Sequence, residues 1–185
     1  MSIVTTLQNS TAIAIGGFDG MHLGHQQLFS NLGKRGTIVV IETGYANLTP
    51  KKERERYSTY PIHYIDLDEI RALSGEEFIL YLKELFPSLK KIVVGYDFHF
   101  GKNRKYNFDN LKDLFDGEVV VVDEVSYQGD SIHSHKIRQK INIGDITGAN
   151  QFLGYNYTIR GKHIKGQGIG AKELVATINL KTDKF

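Results

Sequence analysis

The chain has 185 residues, of which 41% are hydrophobic and 24% charged, the balance of an ordinary globular protein with a real core, which excludes a disordered or fibrous polypeptide. Twenty-three Lys and Arg against twenty-one Asp and Glu leave a formal charge of +2, too small and too evenly spread for general nucleic-acid affinity. The absence of cysteine excludes a disulfide framework, a thiolate nucleophile and a cysteine-based zinc site. No stretch nears the ~20 apolar residues of a membrane span, and residues 1–10 lack a secretory pattern. A cytoplasmic protein with neither membrane nor nucleic-acid partners is expected.

Residues 11–16 (TAIAIG) form a short apolar run ended by glycine, and residues 36–41 (GTIVVI) repeat the type after an amphipathic stretch over 23–32. Strand, helix, strand is the reading. Residues 42–64 carry the turn formers Thr43, Gly44, Asn47 and Pro50 and the mixed-charge run KKERER at 51–56, which reads as a mobile surface connection with a solvated charged face. A helix is predicted from Ser74, a fitting N-cap with Glu77 three residues on, through the apolar spacing of 78–86. Pro87 ends it. Residues 91–95 (KIVVG) and 118–123 (EVVVVD) then read as strands, with a helix over 111–115 between them.

Four apolar strands alternating with helices, most without period-2 polarity, predict an α/β fold with a doubly wound parallel sheet. The composition shifts near Gly144. Seven glycines fall between Gly144 and Gly170, and residues 155–164 and 174–180 alternate in the manner of antiparallel strands. A β-type unit too short to close its own sheet is expected there.

The most informative segment is IGGFDGMHLGH at 15–25. Gly16, Gly17 and Gly20 permit a sharp turn and close approach of backbone to ligand, and a following helix start offers unpaired N–H groups. His22 and His25, three apart, share a helix face and can donate to one phosphate chain. Gly24 between them leaves room for a base or ribose. A P-loop is absent, and no acid in a Gly-x-Gly-x-x-Gly context supports dinucleotide binding.

With these residues the chain resembles the bacterial FAD synthetase family, the bifunctional riboflavin kinase and FMN adenylyltransferase. Residues 16–25 match its Gly-x-Phe-Asp-Gly-x-His-x-Gly-His pattern. Residues 95–102 (GYDFHFGK) are similar to its Gly-x-Asp-Phe-x-Phe-Gly-Lys, with Tyr106 where a glycine is usual. Residues 132–138 (IHSHKIR) are similar to its Ile-Ser-Ser-Thr-x-Ile-Arg, with His133 and His135 in place of serine and threonine. The tail is similar to the opening of the kinase domain at Leu153, Gly154, Gly161, Gly166, Gly170, Thr177 and Asn179, whereas Ala171, Leu174 and Ala176 replace an arginine, a glycine and a proline.

The resemblance implies a Rossmann-like sheet of the nucleotidylyltransferase type over residues 1–145 and an incomplete riboflavin kinase-like β-barrel start over 146–185. It implies transfer of AMP from ATP to FMN with Mg²⁺, giving FAD and pyrophosphate, without riboflavin phosphorylation by so short a kinase segment. His22, His25 and Arg138 would be catalytic. Gly17, Phe18, Asp19, Gly20, His22, Gly24, His25, Ser134 and Arg138 would bind ATP, and Asp97, Phe98 and Phe100 the flavin. No metal-ligand set of protein side chains is expected. The alternatives are another small-molecule nucleotidylyltransferase or an inactive flavin- or ATP-binding module.

Overall fold

The computed structural model describes residues 7–164 and 179–182. Five strands form one parallel sheet: β1 (Ala12–Gly16), β2 (Gly36–Glu42), β3 (Ile62–Asp66), β4 (Lys91–Gly95) and β5 (Glu118–Val122), in the order β3-β2-β1-β4-β5. Helices α1 (Leu23–Phe29), α2 (Leu67–Ile70), α3 (Gly75–Leu85), α4 (Phe108–Leu114), α5 (Ser134–Asn142) and α6 (Ile146–Leu153) surround it. The doubly wound α/β arrangement predicted from the apolar runs is present.

Because successive strand residues point to opposite faces, β1 feeds two cores. Ile13 and Ile15 pack with Val39, Ile92, Phe78, Leu82 and Leu111 beneath α3 and α4. Ala12 and Ala14 pack with Leu28, Phe29, Ile38 and Val93 beneath α1. Burying a side chain such as Ile13 stabilises the fold by about 1.5–3 kcal/mol. A third cluster joins Leu48, Ile132 and Ile137 to Ala149, Phe152 and Leu153 of α6.

Two expectations are corrected. The connection over 42–64 contains the edge strand β3, which pairs with β2 from Ile38↔Ile62 to Glu42↔Asp66, and a 3₁₀ helix over Lys51–Tyr57. The segment after Gly144 begins with helix α6, not a strand: Ala149, Phe152 and Leu153 turn one face inward, Asp145 caps the start by accepting from the Gly148 N–H at 2.9 Å, and Gly154 ends it at φ 77°. A short antiparallel pair, β6 (Gly161–Ile164) with β7 (Asn179–Thr182), follows. The positions at Gly166, Gly170, Ala171, Leu174, Ala176 and Thr177 lie outside the described residues, as does most of the strand expected over 174–180.

The capping box at Ser74 is present, with Glu77 N–H donating to Ser74 Oγ and Ser74 N–H to Glu77 Oε2 at 2.7 Å. Tyr106 sits on a two-residue strand paired with His99–Phe100 and packs its ring on Phe100. The turn between them is tight, with Asn103 and Arg104 at positive φ.

Candidate functional site

The chain reverses its direction of winding between β1 and β4, and open α/β sheets bind ligands in the crevice outside the carboxyl ends of such strands. A cleft of about 280 Å³ opens there. His22, Gly24 and His25 line it from the α1 side, Gly95, Tyr96 and Asp97 from the end of β4, Asp123 and Glu124 from the end of β5, and His133, Ser134, His135 and Arg138 from the start of α5.

The two α1 histidines differ from the solvent-exposed pair that their position at a helix start would suggest. His22 is 5% exposed and caps the helix, its Nδ1 accepting from the His25 N–H. Since Nδ1 accepts, the ring proton resides on Nε2. The His25 ring stacks on His22 at 3.5 Å and meets the edge of Phe18. Burial, then the neighbouring His133, pushes the His22 pKa down to about 3. Burial, then His22 and Arg54, holds His25 well below the usual histidine range. Both rings are therefore neutral hydrogen-bonding groups at physiological pH, and His25 Nδ1 has no partner among the described residues.

The remaining motif residues divide into lining and support. Gly24 belongs to the lining, and a Cβ there would meet the His22 ring at 3.2 Å. Gly17, Phe18, Asp19 and Gly20 lie outside it and shape the crossover. Gly20 adopts φ 85°, where a side chain would meet Leu48 at 2.9 Å, and its N–H donates to Thr49 Oγ1 at 2.7 Å. Asp19 accepts from the N–H groups of Leu48 and Thr49 at 2.9 and 3.0 Å.

Helix α5 grips the same aspartate. Ser134 and Arg138, four apart and hence on one helix face, reach it in two ways: the Ser134 hydroxyl donates to the Asp19 carbonyl at 2.7 Å and the Arg138 guanidinium to its carboxylate at 2.8 Å. The pairing leaves other Arg138 donors at the cleft. Asp97 lines the cleft, whereas Phe98 and Phe100 turn away from it into the core with Phe78.

Two further features were not visible as site residues in the sequence. Arg54, read as part of a solvated charge run, is 1% exposed. It pairs with Glu42 at 2.5 Å and donates to the Gly17 carbonyl at 3.0 Å, tying the 3₁₀ helix to the glycine turn. Glu124 accepts from the Tyr96 hydroxyl at 2.8 Å and from His133 Nε2 at 3.0 Å. These hydrogen bonds, Tyr96 first, hold the Glu124 carboxyl below its ordinary range, and the same bond pushes the Tyr96 phenol up to about 12. The spacing of the KKERER run and the sequence distance between Tyr96, Glu124 and His133 carried no signal of either.

Residues 4–44 and 60–136 match the model of the FAD synthetase family. A FAD synthetase of Listeria monocytogenes is 31% identical over 94% of this chain and 81% of its own length. A bifunctional riboflavin kinase/FMN adenylyltransferase of Buchnera aphidicola is 30% identical over 96% of this chain, which spans 65% of that relative's length. A solved structure described as a macrolide-efflux protein from Streptococcus pneumoniae superposes with a TM-score of 0.76 at 28% identity, over 94% of this chain and 64% of that one. Among the described residues here, no helix is long and apolar enough to cross a membrane.

Proposed function

From the premise that the chain belongs to the FAD synthetase family, we propose that it is an FMN adenylyltransferase, converting ATP and FMN to FAD and pyrophosphate in the cytoplasm. An oxygen of the FMN phosphate attacks the α-phosphorus of ATP, a new P–O bond forms, and the bond to the pyrophosphate oxygen breaks. The observation that carries this reading is the convergence of His22, His25 and Arg138 on one cleft at the carboxyl edge of the sheet.

The protein's work in such a reaction is positioning and charge stabilisation, with no covalent intermediate. His22 donates from Nε2 to a phosphate oxygen, and its neutral ring adds direction without charge. His25, stacked on it, lies beside the same phosphates. The permanent positive charge comes from Arg138, whose planar fork suits a phosphate and whose place is held by Asp19. Ser134 keeps acceptor capacity after donating its proton, so its part is to fix α5 to the crossover. Asp97 orients the flavin-bearing substrate at the rim, with Phe98 and Phe100 packing behind the loop that presents it. At about 280 Å³ the cleft fits the reacting phosphates, and the rest of each nucleotide extends beyond it.

Mg²⁺ neutralises phosphate charge in phosphoryl and nucleotidyl transfer. The carboxylates of Asp97 and Asp123 on the cleft wall suit it. Mg²⁺ in such sites is held by one or two carboxylates together with substrate phosphates and water. The division at about residue 145, with the following segment related to the kinase half, belongs to the same reading.

Incubation with ATP, Mg²⁺ and FMN, followed by chromatography of the flavins, tests it directly. FAD is the expected product. Recovery of unchanged FMN alone would overturn the assignment, and a parallel incubation with riboflavin reports on phosphorylation separately.

A further inference from the structure

One wall of the cleft carries an arrangement that the roles above do not use. His133 occupies the N-cap position of α5, yet its side chain makes no capping hydrogen bond. Its ring turns instead to Glu124, and Tyr96 donates to the same carboxylate oxygen. An ionised carboxylate only accepts, so His133 Nε2 must carry its proton toward Glu124. The ring is thereby fixed in orientation, with Nδ1 left at the cleft that His133 lines together with His22 and Arg138, and a ring protonated at both nitrogens donates from both. A histidine whose second nitrogen is held by a carboxylate is a preorganised hydrogen-bonding group.

We propose that His133 is a further catalytic residue of this cleft, donating to the transferred phosphates through an Nδ1–H while Glu124 holds its Nε2–H, and that Glu124 and Tyr96 are the positioning residues that aim it. The inference rests on the FAD-forming reading and adds a third imidazole to it, from a different helix than the first two. No other described contact accounts for the arrangement. His133 is half-buried, so a packing role is small. Capping of α5 is not its function, and the adjacent Ser134 already ties that helix to the crossover. The His135 ring, stacked on His133 at 5.3 Å, limits the ring's swing from the other side.

Replacement of His133 by Ala is expected to lower kcat for FAD formation by about a hundredfold, the lower end of what removal of one charge-stabilising donor costs, while the melting temperature stays close to that of the unaltered protein. Added imidazole should restore part of the rate, which a loss of packing would not permit. Glu124→Gln should slow the unaltered enzyme several-fold and add nothing in the His133→Ala background, because it acts through that ring. An unaltered rate in His133→Ala, a loss that imidazole does not rescue, or additive effects of the two substitutions would each overturn the proposal. A titration with pyrophosphate, followed by NMR of ¹⁵N-labelled histidine, gives a readout independent of turnover. The His133 ring signals should shift, and their constancy would also refute the contact. A protein that forms no FAD yet shows the shift would sink the assigned reaction and leave His133 as a phosphate contact.

Discussion

Two loops at the carboxyl edge of the sheet, the glycine-histidine crossover after β1 and the charged connection after β2, look opposite in sequence and act together in the structure. The crossover holds Gly17, Gly20, His22 and His25, residue types that announce ligand chemistry. The connection holds LTPKKERERY, which announces solvent. Yet the crossover's shape depends on the connection: Thr49 receives the Gly20 N–H, the Leu48 and Thr49 N–H groups donate to Asp19 Oδ1, and Arg54 binds the Gly17 carbonyl. A motif's chemistry is local, whereas the rigidity that makes it useful comes from a neighbour without a motif.

The most damaging way to break that dependence is Arg54→Met. It would leave Glu42 without its buried partner and the Gly17 carbonyl without its donor, and breaking a buried pair costs about 3 kcal/mol or more. A chemical denaturation midpoint far below that of the parent protein is expected. A midpoint within error of the parent would show that the connection is only a covering. FAD formation should fall as well, although no Arg54 atom lines the cleft.

The converse substitution attacks the chemistry and spares the frame. His25→Ala removes a stacked, part-exposed ring and should reduce FAD formation about a hundredfold, equivalent to about 2.7 kcal/mol of barrier. Its denaturation midpoint should stay near the parent's, since among the described residues no hydrogen bond to its side chain anchors another element. Full turnover in this variant would remove the crossover from the reaction.

Acid separates the two loops in a third way. Unfolded His22 takes up a proton near its ordinary value of 6.5, but the folded ring does so only near about 3. Between those values the unfolded chain holds more protons, so stability is complete above pH 6.5 and declines as the pH falls toward 3. His22 alone contributes a loss of about 2 kcal/mol between pH 6.5 and 5, and His25 shifts in the same direction. Melting temperatures at pH 7.5 and 5.0 check this, and the difference should shrink in His22→Gln. An equal melting temperature at both values in the parent would mean that the rings are charged in the fold.

The contrast also explains what was legible in the sequence. Strands β1, β2, β4 and β5 are apolar because both their faces are covered, and such runs declare themselves. Strand β3 sits at the sheet edge, reads IHYID after Pro61, and has only Ile65 fully buried, so its pairing with β2 had no comparable signal. The His22–His25 pair was legible because both residues lie in one turn. The Asp19–Arg138 pair spans 119 residues and the Arg54–Gly17 contact 37. The resemblance to a family located the residues of the first, but its use as a clamp emerged only from the packed chain. Tyr96, Glu124 and His133 likewise meet only because the ends of β4 and β5 and the start of α5 converge.

The smallest expected effect is the most discriminating one within the connection. Lys52 stands two residues before Arg54, in the same run and with the same sign of charge, but it is exposed and has no hydrogen bond or ion pair described. Lys52→Ala should change stability by less than about 0.5 kcal/mol, as for surface substitutions generally, and leave FAD formation untouched. The pair Lys52→Ala and Arg54→Met thus isolates burial from charge, since removal of one positive charge from the run is common to both. Similar losses in the two variants would mean that the overall charge of the connection acts on the crossover through space. Loss in Arg54→Met alone assigns the effect to one guanidinium wedged between Glu42 and the Gly17 carbonyl.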